Sequence, residues 1–155
     1  MSQHLLTLLH VLATVVWVGG MFFAHLCLRP AAVATLEPPQ RLALWRGVFG
    51  RFFQWVWSAV ILLIVTGMAL LQSWGGGITT VPPHVHVMAG IGYLMAAIYG
   101  YIYFVPYASF KREVVAGDWT SAGATLNRIR VLVGSNLTLG LSNIALVFVL
   151  PVLGL

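Results

Sequence analysis

Charge is what this sequence has least of. Only 7% of its 155 residues are Asp, Glu, Lys or Arg, against about 25% in a typical soluble domain. The stretch Leu5–Leu28, LLTLLHVLATVVWVGGMFFAHLCL, carries none at all. Together with a 60% hydrophobic composition, this excludes a soluble protein and identifies residues 1–155 as a single integral membrane domain. Cysteine is nearly absent too. Cys27 is the only one, which excludes an internal disulfide and any two-cysteine metal motif; its expected role is apolar packing. A P-loop, a Rossmann fingerprint, a nucleophile elbow, internal repeats and low-complexity segments are all missing. No basic n-region precedes Leu5, and the apolar run is too long for an h-region, so the first stretch reads as a retained helix rather than a cleaved signal peptide.

Four apolar runs are present, near residues 5–28, 52–72, 84–107 and 131–153. Each approaches or exceeds the ~20 residues that cross a bilayer as a helix. None shows the ten-residue alternating segments of a membrane barrel. The fold class is therefore all-α, a four-helix transmembrane bundle.

The eight basic residues set the orientation. Arg29, Arg41, Arg46 and Arg51 lie between or flank spans one and two, and Lys111, Arg112, Arg128 and Arg130 lie between or flank spans three and four. None lies at either terminus or in the 73–83 connection. The positive-inside rule then predicts both basic loops in the cytoplasm and both termini outside, in the periplasm of a Gram-negative host. The net charge of +5 is accordingly a topology signal, and nucleic acid is not an expected partner.

The first basic loop holds Pro38-Pro39 and then QRLALWRGVFGR, in which Leu42, Trp45 and Phe49 recur at helical spacing. This predicts either an interfacial helix over about 40–50 or an early start of span two. Pro83 suits the first turn of span three. Gly117 is placed to end one helix and Asp118 or Thr120 to cap the next, so the last helix should begin inside the cytoplasm near Ser121. The outer connection, with Gly75-Gly76-Gly77 and Pro82-Pro83, reads as a compact turn-rich loop.

An imidazole inside a membrane needs a reason, and this chain has five histidines. Up-and-down threading gathers His4, His10, His84 and His86 at the outer end of the bundle. At 1.5 Å per residue, His10 lies roughly 8 Å deep. His25 lies about 22 Å farther down the same helix and is rotated only ~60° from His10, so both could face the interior. The stripe between them is His10, Ala13, Thr14, Trp17, Met21, His25. Span three offers His86, Gly90, Tyr93, Ala97, Gly100, whose small residues leave space either for a flat group or for a close helix. Span four offers Asn136, Gly140 and Asn143, and span two Gln54 and Ser58; these serve either as inter-helix hydrogen bonds or as a polar lining.

Two histidines at matching depth on different helices point to a shared metal. Imidazole suits haem iron, copper and zinc. In the haem reading His10 and His86 are axial ligands, with His84 as substitute, and Trp17, Gly90 and Tyr93 line the pocket. Bis-histidine ligation would favour electron transfer. In the copper reading His84, His86 and Met88 form a soft set suited to Cu(I), with His10 beside it. In a helix His84 and Met88 share a face and His86 turns away; in an extended segment all three point one way. Met21, Met68 and Met95 could extend a thioether path, although Met is also an ordinary gap-filler. His25 is left with a structural or gating role.

The run His10-Val-Leu-Ala-Thr-Val-Val-Trp17-Val-Gly19-Gly20 resembles the first helix of the copper-resistance CopD-like membrane proteins. It also resembles the HemJ-type protoporphyrinogen oxidase family, which has a His, a Trp seven later and then a small residue. Val85-His86-Val87-Met88 resembles their span-three segment. The second resemblance implies a b-haem protein with histidine ligation at His10 and His86; the first implies copper handling across the inner membrane. The leading expectation is a haem b-binding redox protein of the bacterial inner membrane, acting in electron transfer or as a haem-dependent oxidoreductase. Its partners would be the bilayer, a quinone or a membrane redox protein, and a second copy in a homodimer. A copper permease or accessory protein and a non-catalytic membrane scaffold are the alternatives.

Overall fold

The computed structural model describes residues 2–73 and 81–152. These residues are helical, without strands, and four stretches are long and apolar enough to cross a membrane. Helix α1 is Gln3–Thr35 and α2 is Pro38–Gln72. Helices α3, Pro83–Phe104, and α4, Pro106–Ala116, together make the third span. Helix α5 is Trp119–Val152. Large apolar side chains such as Leu8, Val65, Phe104 and Phe148 stand exposed around the outside, as a lipid-facing surface requires. The chain is a multi-pass membrane protein. The Gly75–Gly77 stretch of the turn-rich loop lies outside the described residues.

Proline sets three of the helix starts. Pro38, Pro83 and Pro106 each sit in the first turn of their helices, where the missing N–H would have no partner anyway and φ is already helical. Pro106 also breaks the third span, which the apolar run 84–107 had as one helix. Val105 departs to φ −108°, ψ −81°, because the ring of a proline disfavours a helical residue before it.

Residues 40–50 do not form an interfacial helix of their own. They are the first turns of α2, which runs unbroken for 35 residues. Leu42, Trp45, Phe49, Phe53 and Val56 are all buried. This three- and four-residue spacing is one apolar face continued into the bundle, so nothing interrupts the helix at the membrane surface.

The turn between α4 and α5 follows from its residues. Gly117 takes φ +71°, a left-handed conformation that glycine adopts at no steric cost. Its N–H bonds to the Val114 carbonyl and that of Asp118 to the Glu113 carbonyl, closing helix α4 in a Schellman motif. The Asp118 carboxylate then accepts the Ser121 N–H at 3.0 Å and caps α5, as the sequence predicted, with the helix starting at Trp119 rather than Ser121. Hydrogen bonds from Ser121 hold the Asp118 carboxyl below its ordinary pKa.

Helix α1 is not a regular α-helix. Val15–Gly19 and Phe23–Leu28 are wound wider, and such π turns admit extra residues into the register. Ala13, Trp17, Met21 and Ala24 remain buried, but the helix below each wide turn is rotated relative to a regular one. Packing is chiefly α1 on α2, and α3 and α4 on α5. Without a hydrophobic drive between helices in lipid, this contact must come from close packing and hydrogen bonds. An aromatic lattice around Phe53 supplies much of it: Phe49 stacks on Phe53 at 5.1 Å and Tyr107 meets it edge-on at 4.8 Å.

Candidate functional site

Of the outer-end histidines, His10 packs against α2. His10 Nδ1 lies 2.8 Å from the Thr66 hydroxyl on α2, and its ring sits over Gly67, where a Cβ would come within 3.4 Å of Cε1. Thr66, 1% exposed, donates its own proton to the Leu62 carbonyl at 2.6 Å. Its oxygen is then the acceptor, so His10 carries its proton on Nδ1 and keeps the Nε2 lone pair. Replacing Thr66 with valine is expected to lower bundle stability by about 0.6 kcal/mol, the typical worth of such a bond between membrane helices, read by reversible unfolding in mixed micelles. An unchanged midpoint would mean that the bond adds nothing.

On α3 the face is set by helical phase. His84, Met88 and Met95 are partly or fully buried, whereas His86, Gly90 and Ala97 are exposed. Tyr93 is 51% exposed and donates its hydroxyl to the Met68 sulfur at 3.4 Å. Of the stripe read as a cofactor wall, His86, Gly90, Tyr93 and Ala97 are exposed and Gly100 is half-buried, with Tyr93 reaching Met68 of α2. Residues 84, 88, 95, 99 and 102 share one face of α3, and all are half-buried or buried. Trp17 is buried as expected, edge-on to Tyr99 at 6.1 Å.

The inward face of α3 meets two asparagines of α5. Asn143 Nδ2 donates to the Met88 carbonyl at 3.1 Å, and Asn136 Nδ2 to the Met95 carbonyl at 3.4 Å. Methionines and asparagines are each seven residues apart, so both pairs belong to one antiparallel register. In each pair the amide oxygen is left over: Asn136 Oδ1 and Asn143 Oδ1 are buried without a hydrogen-bond partner. An unpaired buried carbonyl costs free energy, and an electropositive occupant would offset that cost. Between the two asparagines, Gly140 has no side chain, and a Cβ there would come within 3.0 Å of the Met95 methyl and of Val18. Sequence reasoning named these five residues without pairing them; the matched spacing of seven in both spans was the available signal.

The remaining polar residues sort simply. Gln54 and Ser58 are exposed, Ser58 bonding back to the Gln54 carbonyl at 3.2 Å, so they line no interior path. His25 points to α5 rather than toward the face that His10 uses. Its ring lies against Gly134, because the wide turn at Val15–Gly19 and the one that holds His25 itself break the simple 100°-per-residue phase. Among the described residues no three His, Cys, Asp or Glu side chains form a metal cluster.

Residues 46–150 match the sequence profile of a family described as Copper resistance protein D, CopD. No curated protein matches the chain, and no solved structure does. The resemblance to protoporphyrinogen oxidases finds no support in these comparisons.

Proposed function

We propose, since the chain belongs to the copper resistance protein D family, that it handles copper in a bacterial inner membrane, with Cu(I) as cargo. The basic loops would lie in the cytoplasm and the His84 end outside. His84 in the first turn of α3 would receive the ion, and Met88 and Met95 would hold it farther in. Thioether and imidazole are the donors in this face, and soft donors select Cu(I) over harder cations. The observation that carries the reading is the register of Met88 and Met95 against Asn143 and Asn136, with two amide oxygens left unpaired beside them. Copper takes the place of haem as the leading cofactor in this reading because the family is a copper family.

One preparation tests it. The detergent-purified protein is titrated anaerobically with Cu(I) against a competing chelator, and its oxidised and dithionite-reduced visible spectra are recorded. Stoichiometric Cu(I) binding without a Soret band is the expected result. His84→Ala should weaken binding about tenfold or more, and His10→Ala, whose ring faces α2, should leave it unchanged. A Soret band with sharp reduced α and β bands and no Cu(I) binding would sink the copper reading.

A further inference from the structure

The basic end of the bundle holds a cleft that the copper reading does not use. It measures about 260 Å³ and is lined by His25, Arg29, Asn127, Arg130, Val131 and Gly134. A narrow apolar extension of about 20 Å³ continues inward past Trp45, Phe49 and Ile129, room for about one water. Gly134 makes the cleft possible, since a Cβ there would come within 3.1 Å of the His25 ring.

The charge in this cleft is unanswered. Arg29 and Arg130 both line it, and the charges of Arg29 and Arg41 bear on Arg130. Arg130 Nε is buried with no hydrogen-bond partner. The acids of the chain are engaged or placed elsewhere. Glu113 accepts from the Thr125 hydroxyl at 3.1 Å, Asp118 caps α5, and Glu37 stands exposed at the start of α2. Converging guanidiniums at the edge of a low-dielectric bundle repel one another strongly unless an anion sits between them.

The cleft also has an apolar mouth. Val131, which lines it, is 63% exposed on the outer surface of α5, so the opening is sideways, toward lipid. We propose that this cleft binds the phosphate of an anionic phospholipid, with Arg29 and Arg130 on the phosphate oxygens and the acyl chains leaving past Val131. The guanidinium fork matches phosphate oxygens two at a time, which gives Arg130 Nε its missing acceptor. Basic pockets between membrane helices take anionic headgroups in this way. A free inorganic phosphate would fill the polar part of the cleft and leave its apolar mouth unused.

The test uses the full chain, delipidated in detergent and offered equal amounts of phosphatidylglycerol and phosphatidylcholine, with retained lipid counted by native mass spectrometry. Phosphatidylglycerol should be retained over phosphatidylcholine by about tenfold. Arg29→Gln and Arg130→Gln should bring the ratio close to one. Arg130→Lys, which keeps charge but loses the fork, should lower it partway. Arg51→Gln, an exposed arginine bonded to the Gly47 carbonyl, should leave it unchanged. Equal retention of the two lipids by the native chain would overturn the proposal, and this arm decides even if a variant fails to accumulate. So would an equal loss in Arg51→Gln, which would mean general surface charge, or displacement of the lipid by inorganic phosphate at matched concentration.

Discussion

Substituting both Met88 and Met95 with leucine is expected to lower Cu(I) affinity about a hundredfold, and either substitution alone about tenfold. The chain should still fold and insert. Leucine is close to methionine in volume, and such swaps usually cost less than about 1.5 kcal/mol; it is also an equally good helix former. The Asn143 and Asn136 hydrogen bonds go to the backbone carbonyls of residues 88 and 95, so they survive the change of side chain. What is removed is the sulfur alone. Met68→Leu is the control, because Met68 lies 45% exposed and takes the Tyr93 hydroxyl on a different face. Competition titration with a Cu(I) chelator reads the native chain and all four variants. If the double variant binds as tightly as the native chain, the two methionines are gap-fillers and the register has no copper role.

The sequence carried the fold in its apolar runs, because a bilayer imposes one length on every crossing helix. The four spans, the Pro83 start, the Gly117 stop and the Asp118 cap were all legible from local chemistry. The site was less so, for two physical reasons. The direction a side chain takes in a helix depends on phase, and phase is fixed by which face packs and how evenly the helix is wound. Packing of Met95, Tyr99 and Ile102 sets the buried face of α3 and leaves His86 exposed. His10 lies in the regular first part of α1 and faces α2, His25 lies in the second wide turn against α5, and no residue pattern in VVWVG or FAHLCL marks the turns as wide. Depth, by contrast, depends only on counting, and needs no knowledge of phase. The basic cleft was hidden for a related reason. Arg29 and Arg130 are a hundred residues apart and read first as topology signals; only the packing of α1 on α5 at Gly134 brings them to one cavity.

Phe53→Ala is expected to cost the bundle about 3 kcal/mol. Phe53 is 2% exposed, and its ring meets Phe49 at 5.1 Å, Tyr107 at 4.8 Å, Tyr99 at 5.7 Å and Tyr103 at 6.1 Å. In a water-soluble core, truncating a buried Phe costs about 3–5 kcal/mol, part of it transfer from water and part of it the cavity left behind. The transfer part shrinks in a membrane, because separated helices remain in lipid that is as apolar as the core. The cavity remains, and so does the loss of aromatic pairs at about 0.5–1.5 kcal/mol each, which keeps the total near the lower end of that range. Reversible unfolding in mixed micelles measures it, and Phe53→Leu, which fills part of the space, should cost about 1 kcal/mol. A loss under about 0.5 kcal/mol for the alanine variant would show that the lattice closes over the gap. The variant should loosen rather than misfold. The Tyr99 hydroxyl donates to the backbone carbonyl of residue 53 at 2.7 Å, a bond that alanine keeps, so α3 stays in register on α2 and Met95, one turn from Tyr99, stays on its inward face.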